Sequence, residues 1–305
     1  DLFNTSIYYS WGFKNIILFG EYIPKKKSEN SAIINGVLVA LDKRSNLTLL
    51  YRSYGKGFHS FYNNAFSNGS KAQNETGLFI GYTNVITKQW SFNTYLDLYY
   101  YPWLKFQVDK PSKGNDFLMQ LNFKPSKKVE FYVRYRQRLK EENNQDDRNT
   151  AVTNLSANNQ HNLRLNFRSS LSDRFLIKTR IEVVNIHKKN NSPEKGILMY
   201  QDLSISSKSN NLKLIMRYAM FQTSSFDTRI YAYENNVTGV YSIPSYYSKG
   251  TKVYVLVKYH FLNRFDCWFR VGRTIYANEE NIGSGLEEIN GNTKTEITCQ
   301  IRISI

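Results

Sequence analysis

Four histidines and two cysteines are the side chains of this sequence best suited to act as general bases, nucleophiles or metal ligands. Covalent catalysis needs a nucleophile within reach of a base that an acidic group orients. The histidines lie in separate segments, and no serine or cysteine stands at a spacing that pairs with one of them and with an acidic residue. The sequence therefore predicts no catalytic residue and a protein that is not an enzyme. The six residues are His59, His161, His187, His260, Cys267 and Cys299.

Three further patterns could hold a metal or a cofactor, and each lacks a required feature. Two cysteines fit neither a zinc site nor a disulfide scaffold by count and spacing. The acidic stretch KEENNQDDRN at 140–149 has neither the spacing nor the glycine of a calcium-binding loop. The glycines Gly283 and Gly285 have no third partner, and a strand rather than a helix follows them, unlike in a phosphate-binding loop. We expect no metal site and no cofactor.

The basic residues are the most numerous chemically active group, with 41 Lys and Arg against 25 Asp and Glu and a formal charge of +16. Such a charge fits a solvated basic surface, and it also fits phosphate-bearing lipid heads, nucleic acid or an acidic substrate as a partner. Nine basic residues fall on the polar sides of segments in which apolar and polar residues alternate. We expect this basic wall, partly balanced by Glu130 and Glu182, to be an ion-pair and water network, an anion-preferring passage or a docking wall for a plug. Its residues are Arg134, Arg136, Arg138, Arg164, Arg168, Lys178, Arg180, Lys213 and Arg217.

The elements that carry these residues are strands, because their side chains alternate with a period of two. In the last segment Ile297, Cys299 and Ile301 form an apolar row, while Thr298 and Gln300 point to the other face. The same pattern recurs in about fifteen segments of about ten residues each, the strand length of a transmembrane barrel.

The connections between these segments alternate between short and long, which predicts an up-and-down meander with one plain end and one elaborated end. A soluble barrel keeps its apolar face inside and closes with about 8 strands, so it does not fit. The mean hydropathy is −0.51, and no apolar run reaches the about 20 residues of a spanning helix. The predicted fold class is therefore all-β, a transmembrane antiparallel up-and-down β-barrel in the outer membrane of a Gram-negative bacterium.

Two of the long connections, residues 55–76 and 222–250, combine aromatic with polar side chains. In the first, five rings are too much apolar area to leave in water, so we expect it to fold inward over the lumen or to pack under a partner protein. Packing against residues 231–247 is the alternative. That segment could itself hold a short hairpin standing above the membrane. The predicted loop cap or partner surface consists of Phe58, His59, Phe61, Tyr62 and Phe66.

Several short motifs resemble the C-terminal outer-membrane barrel of helix-hairpin-helix domain-containing, competence-protein-like proteins from Bacteroidetes-type bacteria. The likeness runs through nearly the whole chain. The motifs are YRSY at 51–54, FHSFYNNAFS at 58–67, PWLK at 102–105, PSKG at 111–114, RIYAYEN at 229–235 and IGSGL at 282–286.

The resemblance implies that residues 1–305 are one outer-membrane β-barrel domain, the C-terminal part of a longer chain whose N-terminal helical region is absent here. Because single-chain barrels have an even number of strands, about fifteen recognisable strands imply about 16 or more in the intact protein. Expected partners are the lipid bilayer, lipopolysaccharide and other outer-membrane proteins.

Two functions remain open at this stage. The first is a scaffold or capped passage within a larger envelope assembly, a membrane protein complex. The second is a barrel for DNA capture or transit linked to the missing periplasmic helix-hairpin-helix domain, for which nucleic acid would be a partner.

Overall fold

The fold was analysed in a computed structural model, which describes residues 4–25, 27–60, 64–144, 153–188, 192–261 and 264–303. Fifteen strands form one sheet in which each strand is hydrogen-bonded to the next along the chain, apart from two short hairpins inserted between sheet strands. The sheet strands are β1 (Ile7–Phe13), β2 (Ile16–Ile23), β3 (Ala32–Ala40), β4 (Ser45–Tyr54), β5 (Glu75–Asn84), β6 (Trp90–Tyr101), β7 (Ser112–Ser126), β8 (Val129–Asn143), β9 (Leu155–Ser172), β10 (Phe175–Lys188), β11 (Glu194–Ser206), β12 (Leu212–Thr223), β15 (Lys249–Phe261), β16 (Phe265–Tyr276) and β19 (Thr293–Ile303). The inserted hairpins are β13 (Ile230–Tyr231) with β14 (Ser245–Tyr246) and β17 (Asn281–Ile282) with β18 (Ile289–Asn290).

The meander predicted from the sequence is confirmed by the strand order and register. Strands β1 and β2 are joined by Lys14 and Asn15 alone, and Lys14 has a φ of 51°. A positive φ of this kind suits a two-residue hairpin, whose backbone twist must match that of its strands. Longer connections lie at the other ends of the strands. The alternation of short and long links along the sequence therefore corresponds to the two ends of the strands.

Some strands are longer than the sequence pattern indicates. Strand β8 has 15 residues and β9 has 18, whereas the pattern indicated about ten. Residues 140–160 are another of the long polar connections that the sequence predicts, yet most of their described part continues these two strands. The polar composition of this stretch hides the strands, because strands that extend beyond a membrane need no apolar row.

The strands bury their polar face and expose their apolar face, which is the reverse of the arrangement in soluble sheets. On β12, Arg217 and Ala219 are buried, while Tyr218 and Met220 are 48% and 39% exposed. A strand that buries an arginine on one face and exposes apolar side chains on the other is unfavourable in water, but it is the arrangement required when lipid surrounds the sheet. The fold class predicted from the sequence, an all-β antiparallel up-and-down β-barrel, is therefore confirmed.

The same inversion extends over the last strands. The exposed apolar row of β19 continues that of β16 and β15, and their inward neighbours include the buried residues Lys252 and Arg270. No helix in the described part of the chain is long and apolar enough to cross a membrane. The exposed row of these strands includes Val253, Tyr259, Phe269, Ile275, Ile297, Ile301 and Ile303.

The chain divides into two compact units. The first comprises Asp1–Leu121, Arg134–His161 and His187–Ser192, and the second comprises Asn122–Val133, Asn162–Ile186 and Pro193–Ile305. Each unit has a buried cluster beneath a long connection, and these clusters are described separately below.

The inverted faces make a direct prediction for folding into lipid. Ile297 is 68% exposed on the apolar row, so Ile297→Arg should cost about 2 to 4 kcal/mol of folding free energy near the midplane. Thr298→Asn, on the opposite face of the same strand, should cost far less because that face already carries polar groups. Urea titration of both variants refolded into vesicles measures the difference, and equal losses would contradict the face assignment.

Candidate functional site: the polar face and its loops

The polar face is defined here as the set of inward side chains on alternate positions of the sheet strands. In the second unit, two predicted wall residues share one carboxylate. Arg164 donates from Nε and Nη2 to Glu182 at 3.0 and 2.9 Å, and Arg180 contacts the same carboxylate. Glu182 is 2% exposed, so its burial requires these partners.

Arg217 is the most enclosed of the predicted wall residues, at 1% exposure. Its Nε and Nη2 donate to Asp202 at 2.5 and 2.7 Å, which is a bidentate geometry. Its guanidinium carbon lies 3.8 Å from the centre of the Tyr200 ring, and Nη1 donates to the carbonyl of Tyr233 at 2.7 Å. Tyr233 belongs to the connection between β12 and β15, so this arginine joins a strand to a loop.

Three wall residues of the first unit are also paired. Arg136 donates from Nε to Asp116 at 2.8 Å. Arg134 and Arg138 donate instead to the side-chain oxygens of Gln120 and Gln160, at 2.6 and 2.8 Å. These contacts supply neutral or anionic acceptors to the three arginines of β8.

The remaining wall residues, in the second unit, are less enclosed. Arg168 and Lys213 are exposed near the short turns, and the Lys178 ammonium lies 5.9 Å from the Tyr200 ring centre. Six of the nine predicted wall residues, all of them arginines, thus contact carboxylate or amide oxygens. Such contacts are what the ion-pair alternative considered above requires.

The tightest ion cluster of the first unit was not predicted. Arg52 is fully buried, and its Nε donates to Glu75 at 2.6 Å while Nη1 and Nη2 donate to Asp97 at 2.7 and 3.0 Å. Gly77 lies opposite Arg52 on the neighbouring strand, and the guanidinium passes over this glycine to reach β6. A Cβ there would stand 2.7 Å from both terminal nitrogens of Arg52.

The Arg52 cluster also holds the loop of residues 55–74. The Glu75 carboxylate accepts hydrogen bonds from two backbone nitrogens, from that of Asn68 to Oε1 and from that of Gly69 to Oε2, each at 2.9 Å. The guanidinium carbon of Arg52 lies 5.1 Å from the ring centre of Phe66. A charged cluster on the strands therefore fixes the course of the loop above it.

The aromatic loop predicted as a cap folds inward in its described part. Phe58 is 2% exposed and packs with Tyr54, Ala32 and Ala72. Phe66 stays 43% exposed. His59 is exposed and its carbonyl accepts a hydrogen bond from the Asn4 side chain at 3.0 Å. Phe61 and Tyr62, also predicted here, lie outside the described residues.

In the second unit the connection between β12 and β15 places a carboxylate against two strands. Glu234 is 1% exposed. It lies 2.5 Å from Arg270 Nη2 on β16 and 2.8 Å from Lys252 Nζ on β15. The Tyr246 hydroxyl donates to it at 2.7 Å. This loop carboxylate balances the charges of two strand cations on the polar face. Without a carboxylate beside them, such cations would need water.

Apolar side chains of the same connection complete the packing. Ile230, Ala232 and Tyr246 join a buried cluster with strand residues that include Leu198 and Phe221. Further along, Val237 packs with a second cluster of strand residues, Ile215, Tyr254, Leu256 and Trp268.

The short hairpin expected within this connection is present, formed by β13 and β14. Ile230 and Tyr246 are buried against the strands of the second unit, whereas Tyr231 is 50% exposed. The hairpin therefore packs on the strands through one side.

Two of the four histidines, His161 and His187, contact each other with their ring centres 5.9 Å apart. His260 Nδ1 lies 2.6 Å from Asp266, and His161 Nδ1 lies 2.7 Å from the Tyr135 hydroxyl. Cys267 and Cys299 are free thiols on the apolar row, as their alternation predicts. Among the described residues no group of three or more His, Cys, Asp or Glu is placed to hold a metal.

Comparison with known proteins gave structural likenesses only. No protein-family model and no curated sequence matches the chain. A bacterial polysaccharide outer membrane secretin is 9% identical, with 94% of this chain and 88% of that chain covered at a TM-score of 0.40. OmpT of Vibrio cholerae is 11% identical, with 94% and 88% covered at 0.41. FpvA of P. aeruginosa is 9% identical, with 89% of this chain but 54% of that chain covered at 0.40.

The Arg52 cluster predicts an unusual sensitivity at a glycine. Gly77→Ala should displace the guanidinium and cost about 1 to 3 kcal/mol, the usual penalty for overpacking. Gly12→Ala is the control, because a Cβ at Gly12 meets nothing within 4 Å. Unfolding of both variants in detergent measures the effect, and a Gly77→Ala protein as stable as Gly12→Ala would show that the guanidinium does not need this space.

Proposed function

We propose that this protein is an integral outer-membrane β-barrel that acts as a scaffold or capped passage, its interior occupied by its own long loops. The exposed apolar rows contact the lipid bilayer and, in the outer leaflet, lipopolysaccharide. No catalytic step is part of this proposal.

The observation that carries the proposal is the ion cluster of Glu234 with Arg270 and Lys252. A surface loop that moved freely would leave these two strand cations with only the more distant carboxylate of Glu296, at 3.6 and 3.8 Å. Here the loop carboxylate is buried with them, and removing one partner of such a cluster costs about 3 to 5 kcal/mol. A passage through this unit therefore requires that a well-anchored segment leave the polar face.

The first unit supports the same role independently. Its loop is held by Glu75 through two backbone nitrogens, and by Phe58 through apolar packing. A second anchor is Asn74, whose side chain bonds the backbone of the next long connection at Trp103 and Leu104. Both units thus devote polar strand residues to holding loops.

A scaffold role fits an assembly with other outer-membrane proteins. The loops that fill the polar face also present exposed rings outward, including Tyr241 at 88% and Phe106 at 88% exposure. Within a helix-hairpin-helix family chain, such a barrel would anchor the region that precedes it to the membrane.

The alternative of DNA capture or transit finds less support in the contacts. Phosphate binding releases counterions from unpaired Lys and Arg, whereas Arg52, Arg217 and Arg270 already have carboxylate partners. DNA binding by the barrel that falls steeply with salt would restore this alternative.

Conductance across a planar bilayer tests the capped state. The full chain should show no large steady current. Glu234→Lys should introduce frequent openings, because it places a third cation beside Arg270 and Lys252 and expels the loop. Glu287→Lys is the matched control, since Glu287 is exposed in a loop.

Two results would contradict the proposal. One is a large steady current through the unaltered chain. The other is a Glu234→Lys protein that folds, as judged by circular dichroism in detergent, yet stays as closed as Glu287→Lys.

A further inference from the structure

A cavity of about 630 Å³ lies beside the first unit's loops, and it is not needed for the capping role. Its volume falls within the range of about 300 to 1,000 Å³ typical of small-molecule sites. Residues 68–74 and 103–106 form much of its wall. Asn74 holds these two segments together, since its amide accepts from the Trp103 nitrogen at 2.9 Å and donates to the Trp103 and Leu104 carbonyls at 2.9 and 3.1 Å. The cavity wall is thus built by specific contacts between two loops.

The charged side chains that line this cavity are all cationic. Four lysines line the cavity, and among the described residues no Asp or Glu does. Lys56 has a carboxylate neighbour, Glu29 at 3.1 Å. No ion pair is formed by the other three within the described ranges. The four are Lys56, Lys71, Lys105 and Lys140.

Lys105 and Lys140 line the same cavity. Burial, followed by the repulsion of Lys140, lowers the pKa of the Lys105 ammonium, while Glu142 acts in the opposite direction. The Lys105 Nζ lies 3.8 Å from the ring centre of Tyr101, a contact that partly replaces an anion. An anionic ligand between these lysines would reduce their repulsion.

The cavity also offers rings to the body of a ligand. Trp103 and Phe106 line it and are 53% and 88% exposed. Exposed rings beside cationic donors suit a compound with a compact ring and an anionic group.

The position of the cavity shows from which side a ligand would come. Tyr101 lies in the same row of β6 as the buried residues Asp97 and Tyr99, while Leu98 and Tyr100 on the other row are exposed. The cavity therefore lies on the polar face at the loop end of β6, away from the lipid-facing row. A water-borne compound can reach this position, but an acyl chain in the bilayer cannot.

We infer that this cavity binds a small, water-soluble sugar phosphate, whose phosphate contacts Lys105 and Lys140 while its ring lies against Trp103 and Phe106. A phosphate monoester carries a charge of about −1.5 to −2 and three acceptor oxygens at pH 7, which matches several point-charge ammonium groups. A carboxylate carries one charge and cannot satisfy as many. This binding is independent of whether the barrel conducts.

Calorimetric titration of the detergent-solubilised full chain with glucose 6-phosphate, in a buffer free of phosphate, tests the inference. We expect binding at least tenfold tighter than that of glucose, inorganic phosphate or glucuronate. Lys105→Gln with Lys140→Gln should weaken it at least tenfold, and Lys71→Gln alone should weaken it several-fold. Lys88→Gln, an exposed lysine in the short turn between β5 and β6, should leave it within twofold of the unaltered protein.

Each contrary result has a definite meaning. If titration with millimolar glucose 6-phosphate produced no heat of binding, the site would be overturned. Equal binding of glucuronate would overturn the preference for phosphate. Equal binding of inorganic phosphate would overturn the role of the rings. If the double variant fails to fold, unchanged binding by both single variants, Lys105→Gln and Lys140→Gln, would itself overturn the assignment.

Discussion

A charged side chain on a strand that crosses a lipid bilayer must face away from the lipid and must find a partner there. The cost of an unpaired buried charge is so high that partners are supplied wherever water is excluded. In this protein the polar face is laid out around that requirement. Arg52, Arg217 and Arg270 are each buried and each contact a carboxylate. The outward rows can then be largely apolar, because the inward rows carry the compensating groups of these arginines.

The same requirement explains why the long connections fold back onto the strands. Glu234 supplies a carboxylate to Lys252 of β15 and Arg270 of β16, and Glu75 at the start of β5 binds both a strand arginine and the loop backbone. Each loop therefore completes the electrostatics of its unit. Apolar side chains such as Phe58 and Val237 also bury surface that would otherwise be exposed to water. Capping is in this sense a consequence of how the interior is neutralised.

The strand order and the identity of the two faces could be predicted from the sequence, because alternation is local and survives in rows such as Ile297, Cys299 and Ile301. The partners of the basic wall could not. Glu130 and Glu182 were recognised as acidic balance, but Asp97, Asp116 and Asp202 lie on other strands, and only the register brings them to the arginines. Glu75 and Glu234 are separated from their partners by loops whose path is set by packing.

Two signals for the missed contacts were nonetheless present. Arg52, Trp103 and Glu234 all lie in the short motifs that carry the family resemblance, and in the structure all three connect loops to strands or to each other. Gly77 was a further signal, since a glycine opposite an arginine gives the guanidinium room to cross the strand. The contacts of the β13 and β14 hairpin with the strands could not be predicted, because a tyrosine-rich loop does not show in its sequence which of its rings are buried.

The central claim, that charged rows face inward and apolar rows face lipid, is tested most directly by spin labels placed at successive positions of β15 in lipid vesicles. The native cysteines Cys267 and Cys299 would first be replaced by serine. Labels at 253, 255, 257 and 259 should be accessible to oxygen dissolved in lipid, whereas labels at 252, 254, 256 and 258 should be shielded from it. A flat profile, or one with the two rows exchanged, would contradict the account.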